Sequence, residues 1–233
     1  DMVVGVIPSQ AEIEDCDVIH RGHKILRAKM VYKRKYEIVV GKDGQARERF
    51  LKWKARLAVV GTGEIEGVDT VWNTFSPTIG FTAVRLLISL MCNPEFDVRS
   101  YDLSGAFLGT ELTDRSVFVK LPKDAGSSSN QIIRLVKSAY GLKASSKEFV
   151  KQLSDKIMDF RGKDGGQFRR LSTDHCIYVY EGQNEERIYL AHYVDDIICG
   201  ANDAKIREEF FSHLRGKWAI TDEGTLDRFV GVH

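Results

Sequence analysis

HYVDDIICG, residues 192–200, contains two adjacent aspartates between two runs of strand-forming residues. The runs are Ile188–Val194 and Ile197–Cys199, and they predict two strands joined by a tight turn at Asp195 and Asp196. Two-residue hairpin loops favour glycine or asparagine, because one or both central residues need a positive φ angle. Turn formation alone therefore does not explain the two aspartates.

The chemistry of clustered carboxylates offers a better explanation. Adjacent aspartates in an apolar hairpin resist ionisation unless a cation or water offsets their repulsion. Asp102 lies in a second strand-like segment, VRSYDLSGAFL, whose end can approach the hairpin. Three carboxylates on neighbouring strands suit Mg2+, and two such ions about 4 Å apart promote in-line phosphoryl displacement. The alternative is an exposed Asp-Asp turn and an unrelated strand aspartate.

The composition is that of a folded protein. A length of 233 residues and a hydrophobic fraction of 43% suit one large domain or two small ones. No apolar run approaches the roughly 20 residues of a membrane span, and the N-terminus lacks a signal-peptide pattern, so we expect a cytoplasmic or nuclear protein without a membrane partner. The four cysteines form no CxxC pair and are predicted to be reduced core thiols. His20 and His23 have a metal-like spacing but no second ligand pair, so two solvated histidines are favoured over zinc.

Basic residues concentrate near the N-terminus. From Arg21 to Arg56 there are 13 Lys or Arg residues and three acids, although the net charge of the whole chain is +1. Four aromatic residues are interleaved with these charges: Tyr32, Tyr36, Phe50 and Trp53. The combination indicates contact with the phosphates and bases of a polyanion, and the alternative is a solvated charged face.

The predicted elements mix strands and helices without the strict alternation of a doubly wound sheet, which favours the α+β class. Strands are predicted at 35–40, 49–61, 96–103, 117–121, 132–136, 176–180, 187–199, 218–221 and 226–232. Helices are predicted at 81–91, 145–160 and 204–214, and the second has a capping-box pattern from Ser145 to Glu148. Residues 105–112 predict a short helix or turn, and residues 1–20 a weakly anchored lead-in.

The glycines of LAVVGTGEIEG, residues 57–67, raise the alternative of a dinucleotide site. Such a site needs a helix directly after the glycines and an acidic residue at the end of the next strand. EIEGVDT is a poor helix opening, so a nicotinamide site is not favoured.

An ordered series of motifs resembles the reverse transcriptases of copia-type LTR retrotransposons. YVDD at 193–196 is similar to their catalytic motif. The other motifs, in the family's order, are KWKARLAVVG (52–61), GVDTVWNTFSPT (67–78), VRLLISL (84–90), YDLSGAFLGTEL (101–112), RLVKSAYGLKASSKEF (134–149), DHCIYVY (174–180) and LDRFVGV (226–232). The resemblance covers about residues 24–232. It implies a right-hand polymerase fold of fingers and palm, with an antiparallel palm sheet packed on helices.

The resemblance also implies a division of the chain. Residues 1–23 would be an N-terminal lead-in, residues 24–92 the fingers, made of a basic β-hairpin and a helix, and residues 93–233 the palm, with an inserted fingers portion near 113–145. The thumb and RNase H portions of the family would lie beyond residue 233. The chain begins without methionine and stops on the strand-like FVGVH, so we expect a fragment of a polyprotein.

The resemblance assigns catalytic roles to three aspartates. Asp102 and Asp195 would bind two Mg2+ ions, with Mn2+ as an alternative, assisted by the backbone carbonyl of Leu103. Asp196 would be the neighbouring third carboxylate and metal ligand.

Contacts to the nucleotide and to nucleic acid are implied as well. Lys54 and Arg56 would meet the phosphates of the incoming dNTP, with arginine suited to bidentate contact. Phe107 would lie beneath the sugar and exclude a 2′-hydroxyl, and a core aromatic is the alternative. Tyr140 and Gly141 would lie near the nascent base pair. Contacts to primer or template are implied for Tyr193, His192 and Lys143. A packed strand residue is the alternative for His192.

The implied function is that of an RNA-directed DNA polymerase fragment, which joins dNTPs to a primer 3′-hydroxyl. Its partners would be an RNA template, a DNA or tRNA primer and dNTPs, and its location would be cytoplasmic virus-like particles and the nucleus. The chain reads YGLKASSKEF where the family usually reads YGLKQAPRAW, and AFLGT where it reads AFLNG. An inactive nucleic-acid-binding remnant of the same fold is therefore the alternative.

Overall fold

The computed structural model describes residues 5–6, 24–40, 44–112, 115–125, 131–163, 165–227 and 229–231. The strands are β1 (Gly5–Val6), β2 (Ile25–Val40), β3 (Ala46–Val59), β4 (Asp97–Ser104), β5 (Val117–Lys120), β6 (Ile132–Leu135), β7 (Gln167–Arg170), β8 (Ile177–Glu181), β9 (Arg187–Tyr193), β10 (Asp196–Ala201) and β11 (Ala219–Thr225). The α-helices are α1 (Phe81–Met91), α2 (Ser145–Asp159) and α3 (Ala204–Arg215). None of these helices is both long and apolar enough to cross a membrane.

The chain forms two compact units. The first unit consists of Asp1–Asn73 and Glu111–Ser145, and the second of Thr74–Thr110 and Ser146–His233. Both contain antiparallel sheet, and helices accompany the sheet of the second unit, so the mixed composition agrees with the predicted α+β class.

The first unit is built on a five-stranded sheet in the order β1-β6-β5-β2-β3. Only β2 and β5 are parallel, and their pairing is confined to Ile25–Arg27 of β2. From Ala28 onward β2 pairs with β3 alone, as an antiparallel two-stranded ribbon, which confirms the predicted hairpin. A hydrophobic cluster of this unit lies at the base of the ribbon and on the neighbouring strands; its buried members are Leu26, Val59, Val117, Val119, Leu135, Ala139 and Leu142.

The second unit contains a six-stranded antiparallel sheet in the order β11-β4-β10-β9-β8-β7. Along β10, Ile197 and Cys199 belong to the core that includes α2 and α3, whereas Ile198 belongs to the core that includes α1. Successive strand side chains point to opposite faces, so both faces of the sheet are covered by helices. This explains why β10 is a continuous apolar run rather than an alternating one.

Helix α1 is fixed to the sheet of the second unit by Asp174. Its carboxylate accepts hydrogen bonds from Gly80 N–H at 3.1 Å, at the start of α1, and from Cys176 N–H at 2.9 Å, before β8. The buried side chains of α1 are Val84, Leu87 and Met91. Helix α1 therefore belongs to the second unit, although the sequence-based division included residues 81–91 in the fingers.

Several predicted features differ from the structure. Residues 226–232 were predicted to be a strand, but the described residues there form none, and Val230 and Gly231 have positive φ angles that an extended strand does not allow. Of the cysteines, Cys176 and Cys199 are buried as predicted, whereas Cys92 is exposed at the end of α1. Cys16, His20 and His23 lie outside the described residues.

Candidate active site

The turn of the β9–β10 hairpin contains an unexpected residue. Tyr193 pairs with Asp196, so the two loop residues are Val194 and Asp195 rather than the two aspartates. Val194 has a φ of 56°, which β-branched residues rarely adopt. Such a conformation costs about 1–3 kcal/mol and persists only where surrounding contacts enforce it. The hairpin therefore stores backbone strain next to the acidic pair.

The three predicted carboxylates come together at the end of this hairpin. Asp196 lies opposite Asp102 in the β10–β4 pairing. The Leu103 N–H donates a hydrogen bond of 2.9 Å to the backbone carbonyl of Asp195, which attaches the loop to β4. Asp102 Oδ2 accepts a hydrogen bond of 2.8 Å from Ser104 Oγ. Strand pairing thus unites two sequence motifs that lie far apart along the chain.

The negative charges at this site repel one another. Burial, followed in order of importance by the carboxylates of Asp195, Asp102 and Glu223, raises the pKa of Asp196 to about 6. Glu223, which the sequence did not single out, lies on β11, the other neighbour of β4. Burial and neighbouring negative charge both raise a carboxyl pKa, because each disfavours the ionised form.

The donor chemistry of this cluster fits Mg2+. Within the described ranges, no group of three or more His, Cys, Asp or Glu side chains is placed to hold a metal ion. Mg2+ usually takes only one or two carboxylates from a protein and completes its shell with water and substrate phosphates. Asp102 and Asp195 can provide those carboxylates, and coordination by Leu103 stays a prediction. A divalent ion would also relieve the repulsion that raises the pKa of Asp196.

His192 is part of the core rather than of a surface. Its side chain is fully buried, and its ring stacks on Tyr178 with centroids 6.0 Å apart. Neither ring nitrogen has a hydrogen-bond partner among the described residues. Burial lowers the pKa of His192 to about 4. These features match the alternative interpretation of a packed strand residue, whereas the side chain of Tyr193 is 37% exposed.

The neutral state of His192 predicts acid sensitivity. Because the pKa falls from 6.5 to about 4 on folding, the unfolded chain binds the proton first, and stability present above pH 6.5 is lost as the pH falls towards 4. We expect His192 to account for about 3 kcal/mol of this loss. Chemical denaturation of the parent and of His192→Phe at pH 7 and pH 4 measures the difference. His175→Gln, at an exposed position, is the control, and an unchanged pH response in His192→Phe contradicts the prediction.

Phe107 lies on the short 3-10 turn Ala106–Gly109, which follows Gly105 in the left-handed region. Its partly buried ring meets Phe149 edge-on, with centroids 6.0 Å apart, and Phe149 meets Trp218 at 5.9 Å. A Cβ atom at Gly109 would lie 2.5 Å from the Trp218 ring, so this position admits only glycine. Phe149, which stands where the family usually has tryptophan, is a fully buried core residue.

In the first unit, Lys54 and Arg56 lie on β3 opposite Lys33 and Val31. The Arg56 guanidinium lies 5.3 Å from the centre of the Tyr140 ring, a cation–π geometry. The backbone holds the two residues together, because Val59 N–H donates a hydrogen bond of 2.7 Å to the Tyr140 carbonyl. Two residues predicted to contact the nucleotide, Arg56 and Tyr140, therefore form one group.

The segment after Tyr140 approaches β3 so closely that glycine is required. Gly141 has a φ of 92°, and a Cβ atom there would lie 2.0 Å from the carbonyl oxygen of Val59. A Cβ atom at Gly61 would lie 2.1 Å from the carbonyl oxygen of Gly141. The glycines of LAVVGTGEIEG thus serve backbone contact, and a 3-10 turn rather than a dinucleotide-binding helix follows β3.

Glu64 is a functional candidate that the sequence did not reveal. Its buried carboxylate accepts a hydrogen bond of 2.7 Å from Lys143 N–H, and its backbone carbonyl accepts one of 3.0 Å from Lys143 Nζ. Burial raises the pKa of Glu64. The Lys143 ammonium therefore has a protein acceptor, and its contact with primer or template stays a prediction.

Comparisons with known proteins identify relatives of this chain. Residues 17–233 match the family described as reverse transcriptase (RNA-dependent DNA polymerase). The retrovirus-related Pol polyprotein from transposon TNT 1-94 of Nicotiana tabacum is 25% identical over 214 residues, which are 91% of this chain and 15% of that polyprotein. The corresponding polyprotein from transposon RE1 of Arabidopsis thaliana is 27% identical over 186 residues, 78% of this chain and 12% of its own length.

A solved foamy viral protease-reverse transcriptase in complex with double-stranded DNA has a TM-score of 0.36 and 11% identity, over 82% of this chain and 27% of that one. The chain spans 15% or less of the length of the two plant polyproteins. The match over residues 17–233, together with these relatives, shows that the chain belongs to the reverse transcriptase (RNA-dependent DNA polymerase) family of copia-type retrotransposon Pol polyproteins.

Proposed function

We propose that this chain carries the RNA-directed DNA polymerase activity of its polyprotein and joins dNTPs to the 3′-hydroxyl of a primer. The observation that carries the proposal is the pairing of Asp196 with Asp102, which brings Asp195 to the Leu103 peptide. Three carboxylates meet there, and their mutual repulsion adds to burial in raising the pKa of Asp196.

Within this proposal, Asp102 and Asp195 hold two Mg2+ ions. When bound, the ions stabilise the attacking and leaving oxygens of the displacement. Asp196 adds negative charge that favours divalent over monovalent cations. In the first unit, Lys54 and Arg56 bind the triphosphate, and contact with the Tyr140 ring holds the Arg56 guanidinium in one orientation. A planar guanidinium that is already oriented loses less entropy when it binds phosphate.

The proposal extends to the architecture and the partners. The first unit would be the fingers and the second the palm of a right-hand polymerase, with thumb and RNase H portions supplied by the remaining polyprotein. The template would be RNA, the primer DNA or tRNA, and the location cytoplasmic virus-like particles and the nucleus. The share of the polyproteins that this chain spans supports the need for further portions.

Phe107 is proposed to select deoxynucleotides through its ring. Phe107→Val is expected to improve the use of rNTPs relative to dNTPs by about a hundredfold, because a shorter side chain leaves room for a 2′-hydroxyl. Competitive single-nucleotide incorporation measures this ratio. Phe149→Leu is the control, since Phe149 is fully buried beneath Phe107 and should lower stability without changing the ratio. An unchanged ratio in Phe107→Val would leave this ring with a core role only.

Primer extension on an RNA template with Mg2+ tests the proposed function directly. We expect dNTP-dependent extension by the chain, enhanced when the downstream polyprotein is included. Nucleic-acid binding that weakens steeply with salt, but without extension under Mg2+ or Mn2+ in either protein, would overturn the proposal in favour of an inactive remnant.

A further inference from the structure

The ribbon of β2 and β3 has two faces of opposite character. In an antiparallel pair, residues opposite each other share a face, and neighbours along a strand alternate between faces. The aromatic face, as we name it, contains Tyr32, Arg34, Tyr36, Phe50 and Trp53, and the same side of the ribbon carries the acid Glu48 opposite Ile38. The basic face contains Lys29, Lys33, Lys35, Arg47, Arg49, Lys52, Lys54 and Arg56. Its one acid is Glu37, which accepts a hydrogen bond of 2.6 Å from Arg49. The interleaved aromatic and basic residues of the sequence are thus separated by folding.

Direct contacts join four members of the aromatic face, whereas the Tyr32 hydroxyl donates a hydrogen bond of 3.3 Å to Asp124. The Phe50 ring lies 6.1 Å from Tyr36 and 6.1 Å from Trp53, in both cases edge-on. The Arg34 guanidinium lies 4.8 Å from the centre of the Trp53 ring. Phe50 and Trp53 are three positions apart and would lie on opposite faces of a regular strand. A bulge that leaves Leu51 out of the pairing brings them to the same face.

The aromatic face is open to solvent. Trp53 is 58% exposed, Tyr32 54%, and Tyr36 and Phe50 each 49%. A two-stranded ribbon gains little stability from such solvent-exposed residues. Contiguous exposed aromatic residues on a soluble protein usually mark a binding surface. Stability of the isolated ribbon therefore does not account for these rings.

An unpaired nucleic-acid strand fits this surface best. Its bases offer flat faces that stack on aromatic rings, and its phosphates suit the Arg34 guanidinium at the centre of the group. A duplex does not offer its base faces, because they already stack on one another. A second copy of this chain is disfavoured, because β2 and β3 contain only two acids, Glu37 and Glu48, and two such basic ribbons repel each other.

We propose that the aromatic face is a stacking surface for an unpaired nucleic-acid strand, distinct from the basic face that carries Lys54 and Arg56. One ribbon would then hold phosphates on one side and unpaired bases on the other. This assignment does not rest on polymerase activity, since stacking requires neither the carboxylates nor a metal ion. An inactive chain would bind a single strand in the same way.

Fluorescence titration tests the assignment in a Trp72→Phe background, in which Trp53 is the exposed tryptophan and Trp218 is buried. A thymidine homo-oligonucleotide is expected to quench the fluorescence, and a duplex of equal length much less. Phe50→Leu and Tyr36→Leu should each weaken single-strand binding about tenfold, because stacking is lost while apolar bulk remains. Phe50→Tyr and Tyr36→Phe keep the rings and should retain affinity.

The basic face provides the matched comparison. Lys33→Ala with Lys35→Ala should weaken single-strand and duplex binding alike and reduce the salt dependence of both. Equal losses of single-strand and duplex affinity in the leucine variants would overturn the proposal, as would unchanged single-strand affinity. Sedimentation that shows a dimer dissociated by the leucine variants, with oligonucleotide binding intact, would instead assign the face to a second copy of the chain.

Discussion

Asp195→Asn is expected to reduce Mg2+-dependent primer extension by about a thousandfold or more, because metal-ion stabilisation of a phosphoryl transition state supplies several kcal/mol. Asp102→Asn should have an effect of similar size. Folding should not suffer in Asp195→Asn, since the Asp195 carboxylate contributes to the repulsion that raises the pKa of Asp196. We therefore expect an unchanged or higher Tm beside the lost activity. Extension by timed gel assay and a thermal melt of the same preparation provide the two measurements.

Asp203→Asn is the matched control for this experiment. Asp203 caps helix α3, where its side chain accepts hydrogen bonds from Lys205 N–H and Ile206 N–H. Asparagine caps helices as well as aspartate does, so the same chemical change should leave stability and extension nearly unchanged. If Asp195→Asn extends primers as fast as Asp203→Asn, the carboxylate cluster is not the catalytic site.

Gly141→Ala is expected to destabilise the first unit by about 3 kcal/mol, through steric overlap and an unfavourable φ angle. The added Cβ atom would lie 2.0 Å from the carbonyl oxygen of Val59, in the backbone of β3 itself. Relief of this overlap must move Tyr140 away from Val59 and so disturb its contact with Arg56. Urea denaturation followed by tryptophan fluorescence measures the loss.

Gly224→Ala separates the two causes of that effect. Gly224 has a φ of 95°, close to the 92° of Gly141, but an added Cβ atom there meets nothing within 4 Å. The cost of the φ angle alone is about 1 kcal/mol. A loss in Gly141→Ala no larger than that in Gly224→Ala would contradict the close approach between the Tyr140–Gly141 segment and β3.

The helices and the carboxylate cluster were accessible from the sequence because their signals are local or chemically specific. Helix α1 has the predicted bounds, Phe81 to Met91, since apolar residues recur at helical spacing after Pro77. Adjacent carboxylates indicated a bound cation, and a cation site predicted that Asp102 lies close to the hairpin. The β10–β4 pairing confirms that Asp102 lies opposite Asp196.

Features that depend on tertiary contacts were not accessible. The buried Glu64 accepts a hydrogen bond from Lys143, which is distant in sequence. No sequence pattern predicts this contact. The positive φ of Val194 was missed because a loop beginning with valine contradicts the preference for glycine. Strand β2 was predicted too short, since its exposed, charged residues lack the apolar–polar alternation of a half-buried strand.

The two faces of the ribbon were missed for a related reason. Each strand read alone shows aromatic and basic residues intermixed. The separation appears only when the partner of each residue is known, including the bulge at Leu51. A pairing register is a property of two strands, and one-strand periodicity does not encode it.

The strained loop of the β9–β10 hairpin sets stability and activity against each other. Glycine at position 194 would adopt the observed φ without strain, so selection for heat resistance alone would favour it. The conformational freedom of glycine would also let the carboxylates of Asp195 and Asp196 change position. A β-branched residue such as valine restricts the loop and so keeps these carboxylates in place. Valine at this position therefore lowers folding stability but keeps the carboxylates in place. Selection for DNA synthesis would retain it, whereas selection for stability alone would not.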